Sequence, residues 1–418
     1  MLDDLIVMFR EMDRRVKVML ASQVVYNFPI QLTSQYNMLF AQSLGAGEND
    51  IGLINSVSAA VHGVFSAPIG LALEKYSVKK MTLLGLLCDV VATIIFISAG
   101  VWYMLVPAFI LYFHLIRHMP IADMIIITFT DPNKRATLMS LVRLFRNFVS
   151  LVAPIIAAAI VTSFGGISPQ GIRPLYYVSL GIFVLVFLLI LKFLGETYLG
   201  SQGKNSSTSK RTNLFKEYLE FLKGKKYVKK WILIKLFARD GFQTMLGIFA
   251  PLWIVNVKGA TPAILGIVAT LSLITEMLLQ VPAGRFADKF GRKKAFFVFT
   301  LFYCLGVFVL IWAPSYEYLI LAGMLGGATG SVIGGVGGVA FIPFITMWWE
   351  VAPKESRGKL YGLDNILITA SRIPASIIGG LLWDLGFKTL TLLTPVLVEL
   401  FVVIPLLFTV SETLNPNK

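Results

Sequence analysis

Twelve apolar stretches, each close to or longer than the about 20 residues that a membrane-crossing helix needs, dominate this chain. They lie near residues 17–44, 51–73, 81–100, 102–129, 136–163 and 174–194, then near 231–257, 262–286, 294–313, 316–349, 358–383 and 389–410. We number them spans 1 to 12. Charged or Gly/Pro-rich breaks separate them. Hydrophobic residues make up 56% of the chain and charged residues 14%, against about 25% charged in an ordinary soluble domain. A surface that apolar does not stay in water. The sequence therefore predicts an all-α, multi-pass integral membrane protein. Spans 4 and 10 are long, and span 10 carries enough glycine to be broken.

Charge gives the orientation. With the N-terminus placed in the cytoplasm, 28 of the 37 Lys and Arg residues fall in inner segments. The outer loops hold Arg173, Lys258 and Lys388, and six more lie within spans. That asymmetry is the positive-inside pattern, so both termini are expected in the cytoplasm, with the cell membrane as the expected location. The net charge of +14 is then a topology signal and not a nucleic-acid footprint. Cys88 and Cys304 both sit inside apolar runs, and the three histidines have no metal-ligand spacing. No cofactor and no metal site is expected.

The breaks divide the chain. Residues 1–16 read as a short interfacial helix, with Leu2, Leu5, Ile6 and Phe9 at helical spacing among charges. Residues 17–194 form a first group of six spans and 231–410 a second. Between them, 195–230 is a polar linker with a flexible Gly/Ser-rich run and an amphipathic segment at Leu214–Lys223. Residues 411–418 form a tail.

The two groups repeat each other. Gly52, Pro68 and Gly70 recur 214 residues later as Gly266, Pro282 and Gly284. The end of span 2 reads Gly70-Leu-Ala-Leu-Glu74-Lys75-Tyr-Ser77-Val-Lys79-Lys80. The end of span 8 reads Gly284-Arg-Phe-Ala-Asp288-Lys289-Phe-Gly291-Arg292-Lys293-Lys294. Asp131-Pro132 through Arg135 is echoed by Ala352-Pro353 through Arg357, and Pro154 by Pro374. Parallel six-helix repeats imply a pseudo-two-fold axis along the membrane normal and a central cavity.

The Gly284–Lys294 segment resembles the signature loop of the major facilitator superfamily; its Gly70–Lys80 copy departs from it at Glu74 and Ser77. The resemblance covers nearly the whole chain. It implies twelve transmembrane helices in two pseudo-symmetric six-helix bundles, and a monomeric secondary transporter working by alternating access. It also implies that Asp288 caps the start of span 5 and Glu74 the start of span 11, as an acid at a helix N-terminus can. The basic residues Lys75, Lys79, Lys80, Lys289, Arg292 and Lys293 would meet lipid headgroups. Together these would form an inner latch. The plain alternative is that they are only positive-inside anchors.

Polar groups inside spans are costly and so are functional candidates. Span 1 carries Gln23, Asn27, Gln31 and Gln35 at every fourth position, a stripe that lines either the cavity or a neighbouring helix. Span 4 carries His114, Arg117, His118 and Asp123. Asp123 and Arg143 lie equally deep, eight residues from Asp131 and from Arg135, and are expected to pair. Arg117 falls near mid-membrane and resembles the span 4 arginine of many antiporters in the family. Span 7 adds Arg239, Asp240 and Gln243, span 8 Glu276 and Gln280, span 11 Asp364, Asn365 and Arg372. His62 and Glu276 are equivalent under the repeat.

Asn27, Gln31, Gln35, His62, Arg117, His118, Arg239, Gln243, Asn365 and Arg372 are therefore the expected substrate or cavity residues. Glu276, with Asp123 and Asp240 behind it, is the expected proton carrier, because burial raises a carboxyl pKa toward neutrality. Asp89 and Glu399 are read as structural partners of neighbouring helices. The span 10 glycines suit either a bending gate or tight packing against span 11.

Three classes of function were weighed. A small-molecule transporter, with protons as coupling ion and the bilayer as partner, fits every feature. Drug or metabolite efflux is preferred on resemblance alone. A symporter or uniporter for an anionic metabolite or sugar stays open, since the Gly-Pro antiporter signature is only partly met by Ala153-Pro154-Ile155-Ile156-Ala157-Ala158. A transport-inactive receptor would be expected to lack the signature loop and to add a soluble domain. An enzyme finds no catalytic set, and a nucleotide-driven pump finds no G-x-x-x-x-G-K-[ST] loop.

Overall fold

The computed structural model describes residues 13–112, 135–196, 226–237, 239–327, 334–350 and 357–412. For 66–75, 135–144, 147, 226–228, 239–240, 349–350, 357–362 and 365 it describes the backbone alone. The regular elements among these residues are helices. Six are long and apolar enough to cross a bilayer: Val78–Ser98, Pro169–Phe193, Pro262–Phe290, Arg292–Trp312, Ile366–Asp384 and Lys388–Phe408. Shorter apolar helices stand at the other expected spans, among them Trp102–Tyr112, Phe148–Ser163 and Thr244–Val257. The interfacial segment, most of the linker and the tail beyond Glu412 lie outside the described residues.

Helix starts follow local chemistry. Asp13 precedes Arg14–Thr33 and its carboxylate accepts from Arg15 N at 2.7 Å. The Arg15 guanidinium beside it holds the Asp13 carboxyl below its usual range. Ser168 caps Pro169–Phe193, and Thr261 caps Pro262–Phe290. In both, proline fills the first helical turn, where its missing N–H costs no hydrogen bond.

The chain falls into two compact units. One comprises residues 1–34 and 64–204, the other 35–63 and 205–418. These units do not coincide with the two repeats: residues 35–63, which belong to spans 1 and 2, group with the second. In the first unit, Arg14–Thr33 packs on Arg135–Ser163 and Pro169–Phe193, and Val78–Ser98 also packs on Pro169–Phe193. Aromatic rings fill the centre. Phe96 stacks on Tyr176 with centroids 4.6 Å apart, and its ring meets Phe109 edge-on at 5.2 Å.

The second unit holds the broken helices. Span 7 is helical over Lys226–Phe237 and Arg239–Phe242, with residue 238 outside the described residues; it breaks at the Gln243 turn, resumes as Thr244–Leu252 and widens into a π turn over Trp253–Val257. Span 12 runs from Lys388 to Val398, opens into a π turn at Glu399–Val403 and resumes at Ile404. Span 11, Arg357–Asp384, is continuous. Glu48–Lys75 crosses it on small residues: Ser56 Oγ donates to Ile373 O at 3.1 Å, and a Cβ on Gly52 would fall 2.5 Å from Ser376 O. Small residues allow this close backbone approach.

Span 10 is divided at its glycines into Tyr316–Leu325, Gly335–Gly338 and Phe341–Glu350. Gly326 closes the first piece at φ +113°, which only glycine adopts freely. The described glycines pack closely on neighbouring helices. A Cβ on Gly337 would fall 2.6 Å from Tyr303, and one on Gly323 2.8 Å from Val268. Among the described residues these glycines thus admit spans 8 and 9.

Candidate functional site

The polar residues of span 1 divide between two roles. Asn27 donates to Ser150 Oγ of span 5. On the same helix Tyr26 Oη donates to Asp89 Oδ2 at 2.9 Å, and Thr33 Oγ1 lies 2.9 Å from Tyr112 Oη. These are interhelical ties, so this part of the stripe faces other helices. Asp89 is thereby a partner of span 1, as expected. Gln23 is fully buried, Gln31 is half-buried, and buried Gln35 keeps its Oε1 without a hydrogen bond among the described residues.

Span 7 presents a different surface. Gln243 sits at the turn between Arg239–Phe242 and Thr244–Leu252 and is 4% exposed. Both atoms of its amide lack a hydrogen-bond partner among the described residues. Two residues earlier, Gly241 lies so close to span 11 that a Cβ there would overlap Ser371 Oγ. That hydroxyl is also buried and unsatisfied among the described residues. Leaving such groups unpaired costs about 1–3 kcal/mol each. A site that accepts a polar ligand, or ordered water, removes that cost.

Below this break lies a pair that depth-matching along the sequence did not single out. Lys235 is fully buried, and its Nζ stands 2.8 Å from Asp364 Oδ1. The ammonium also lies 5.4 Å from the Phe344 ring centre and 5.5 Å from that of Trp348. Trp231 packs on both rings, 6.1 Å from each. The signal was available: Lys235 and Asp364 each lie five residues beyond a basic residue at the inner end of their span, Lys230 and Lys359.

Glu276 occupies the midpoint of Pro262–Phe290 and is half-buried. His62 and Arg372 are half-buried as well. Arg117, His118 and Asp123 lie outside the described residues, as do the side chains of Arg143, Arg239, Asp240 and Asn365. The expected Asp123–Arg143 pair falls there too. Buried Glu399, at 2% exposure, opens the π turn of span 12.

The two signature loops are capped differently. Ser77, extended and buried, accepts from Lys80 N at 3.4 Å and so starts Val78–Ser98. Gly291 at φ +100° starts Arg292–Trp312 with no side chain to offer. Glu412, from the end of span 12, supplies one: its Oε2 accepts from Lys293 N at 3.0 Å, while Lys293 Nζ reaches Val410 O. Asp288, Lys289 and Lys80 are exposed, and Lys79, Gly284 and Arg292 half-buried. Of Gly70, Glu74 and Lys75 only the backbone is described. The helix starts that Asp288 and Glu74 were expected to cap fall at 131–135 and 351–357, and 131–134 and 351–356 lie outside the described residues.

Comparison with known proteins supplies the family. A model of the Major Facilitator Superfamily matches residues 19–259 and again 232–418. A putative metabolite transport protein of Bacillus subtilis, YwtG, is 30% identical over 120 residues, 28% of this chain and 24% of that protein. The quinolone resistance protein NorA of Staphylococcus aureus is 23% identical over 146 residues, 34% of this chain and 36% of its own length. The matched stretches thus span well under two thirds of these relatives. Among solved structures, a POT family transporter with a bound peptide conjugate superposes with a TM-score of 0.71 at 13% identity, covering 96% of this chain and 99% of that one. A D-xylose-proton symporter gives 0.65 at 14% identity, covering 96% and 98%. At such identities the likeness is one of fold.

Proposed function

The chain belongs to the major facilitator superfamily, a multi-pass membrane transporter of that fold, and from this premise we propose that it moves a small organic solute by alternating access, coupled to protons. The observation that carries the reading is Gln243: a buried amide at a helix break, unpaired among the described residues and two residues beyond Gly241, which packs on the equally unpaired Ser371 hydroxyl. Together they offer two donor and two acceptor groups to a solute, at the kind of discontinuous helix where transporters of this architecture bind. In this proposal Gln31, Gln35, His62, Arg117, His118, Arg239, Asn365 and Arg372 complete the cavity, while Asn27, expected there from the sequence, ties span 1 to span 5. Glu276 carries the proton, with Asp123 and Asp240 as further carriers. The Gly70–Lys80 and Gly284–Lys294 loops act as the inner latch.

Efflux of a drug or metabolite is our first reading of direction, in line with the likeness to NorA and YwtG. The neutral hydrogen-bonding character of Gln243 and Ser371 favours one second reading: proton symport of a hydroxyl-rich solute, as the D-xylose-proton symporter's title says of that protein. We place both termini in the cytoplasm and the protein, as a monomer, in the cell membrane. No catalytic step is proposed.

Purified protein in liposomes with an internal pH dye tests this directly. Ethidium, D-xylose, uridine and a dipeptide would be added in turn under an imposed proton gradient. Proton movement triggered by one probe supports coupled transport and names its class. Glu276→Gln should abolish that movement, and Gln243→Ala should weaken binding of the same probe. Silence for all four probes with folded, oriented protein would count against the reading.

A further inference from the structure

Span 1 turns at residues 34–36 and span 7 at Gln243, and each then continues as a short helix, Asn37–Ser43 and Thr244–Leu252. These two helices pack on each other. Beyond them Asn256 Nδ2 donates to Gln42 Oε1 at 2.7 Å. Gln42 and Asn256 are 214 residues apart, which is the offset of the repeat. A residue meets its own equivalent only beside the axis that relates two repeats. The packed helices therefore flank that axis, where the central cavity of such a repeat lies.

At the other end of each helix stands a buried glutamine. Gln35, 7% exposed, lies two helical turns before Gln42 and so on the same side of its span. Ser34 and Tyr36 on either side of it keep right-handed helical backbone. Gln243, 4% exposed, directly precedes Thr244. Counted from the Gln42–Asn256 contact at about 1.5 Å per residue, Gln243 lies about 9 Å deeper than Gln35. That offset fits a single sugar-sized ring with a hydrogen bond of about 2.8 Å at each end.

The unmet groups define the occupant. Gln35 Oε1, both amide atoms of Gln243 and the Ser371 hydroxyl find no hydrogen-bond partner among the described residues. Amide oxygens only accept, so two of them call for a solute that donates twice, while the Gln243 nitrogen calls for an acceptor. An anion without donors of its own would meet two oxygens with no proton to share. An ammonium would leave the Gln243 nitrogen unanswered. Hydroxyls donate and accept at once. We propose that Gln35 and Gln243 bind opposite ends of one solute, and that this solute is an uncharged polyhydroxyl compound the length of a sugar ring. The assignment rests on the transport reading and names its substrate class.

Binding of tritiated D-glucose and D-xylose to the full-length protein in nanodiscs tests it. The competitors are D-gluconate, D-glucosamine and the monodeoxyfluoro analogues of whichever sugar binds. At least one of the two sugars should bind, and neither charged analogue should bind more tightly. Fluorine removes a donor at little change in size, so at two ring positions it should weaken binding about tenfold. Gln35→Leu and Gln243→Leu should each weaken binding of the sugar about tenfold, and in each variant one of the two fluorine penalties should vanish. No binding of either sugar, tighter binding of a charged analogue, or fluorine penalties unchanged in both variants would overturn the proposal. The wild-type series decides even if a variant does not fold. A bound sugar that moves no protons in liposomes would fail the coupled-transport reading and not this one. Ethidium that moves protons while neither sugar binds would do the reverse.

Discussion

Spans 1 and 7 hold the same place in the two repeats and are anchored in opposite ways. Span 1 runs from Arg14 to Thr33 despite Pro29, turns at residues 34–36 and resumes as Asn37–Ser43; its long part is tied to its neighbours by Tyr26–Asp89, Asn27–Ser150 and Thr33–Tyr112. Span 7 is interrupted at the Gln243 turn, and an ion pair at Lys235 joins the part before it to span 11. Several modest bonds give span 1 a hold that no single event releases. A desolvated charge pair is a high-stakes contact that forms or fails as a unit.

The largest effect should come from breaking the pair. Lys235→Met leaves Asp364 buried without its lysine and should cost about 3–5 kcal/mol of stability. Lys235→Met with Asp364→Leu, which removes both charges, should return to within about 1 kcal/mol of wild type, since apolar replacements of a whole buried pair are often neutral. Thermal unfolding in one detergent would compare all three proteins. Equal losses in the single and double variants would mean that packing, not charge, holds span 7.

Next comes the strongest tie of span 1. Tyr26→Phe removes the hydroxyl that donates to Asp89 and should cost about 1–3 kcal/mol, less than Lys235→Met in the same assay. A loss as large as that of Lys235→Met would erase the contrast. Smaller still is Asn27–Ser150. A cycle of Asn27→Ala, Ser150→Ala and the double variant should give a coupling of about 0.5–1.5 kcal/mol. A coupling near zero would release Asn27 from its structural role and return it to the cavity.

How much of this was legible depends on which property of the residues carried it. Span positions were readable because hydrophobicity is additive along the chain: Pro169–Phe193 and Arg292–Trp312 fall within a few residues of 174–194 and 294–313. The repeat was readable because Gly, Pro and charge recur at one offset. The pieces of span 7 were not. Nothing in Phe242-Gln243-Thr244 marks a break by composition, and it is tertiary packing of Gly241 on Ser371 that distinguishes this stretch. Lys235 and Asp364 were visible as charges, but only folding shows that they meet and that Phe344 and Trp348 face the ammonium. The grouping of residues 35–63 with the second unit is likewise a property of contacts and not of sequence order.

The smallest predicted effect separates the two signature loops, and it concerns a departure that looked like decay in the sequence. Ser77 replaces the glycine found at Gly291, yet its extended backbone lets the hydroxyl cap its own helix at Lys80 N. Gly291 has no such group, and Glu412 caps that helix from another span at Lys293 N. Ser77→Ala should therefore cost about 1 kcal/mol, read as faster amide exchange at Lys80 by about fivefold. Glu412→Ala should speed exchange at Lys293 by no more than about twofold, because that contact is exposed and water competes for it. If the two effects prove equal, the serine and the distant carboxylate are interchangeable solutions to one missing cap. If Glu412→Ala has the larger effect, the end of span 12 restrains the second loop more firmly than the serine restrains the first, and the two latches differ in strength as well as in sequence.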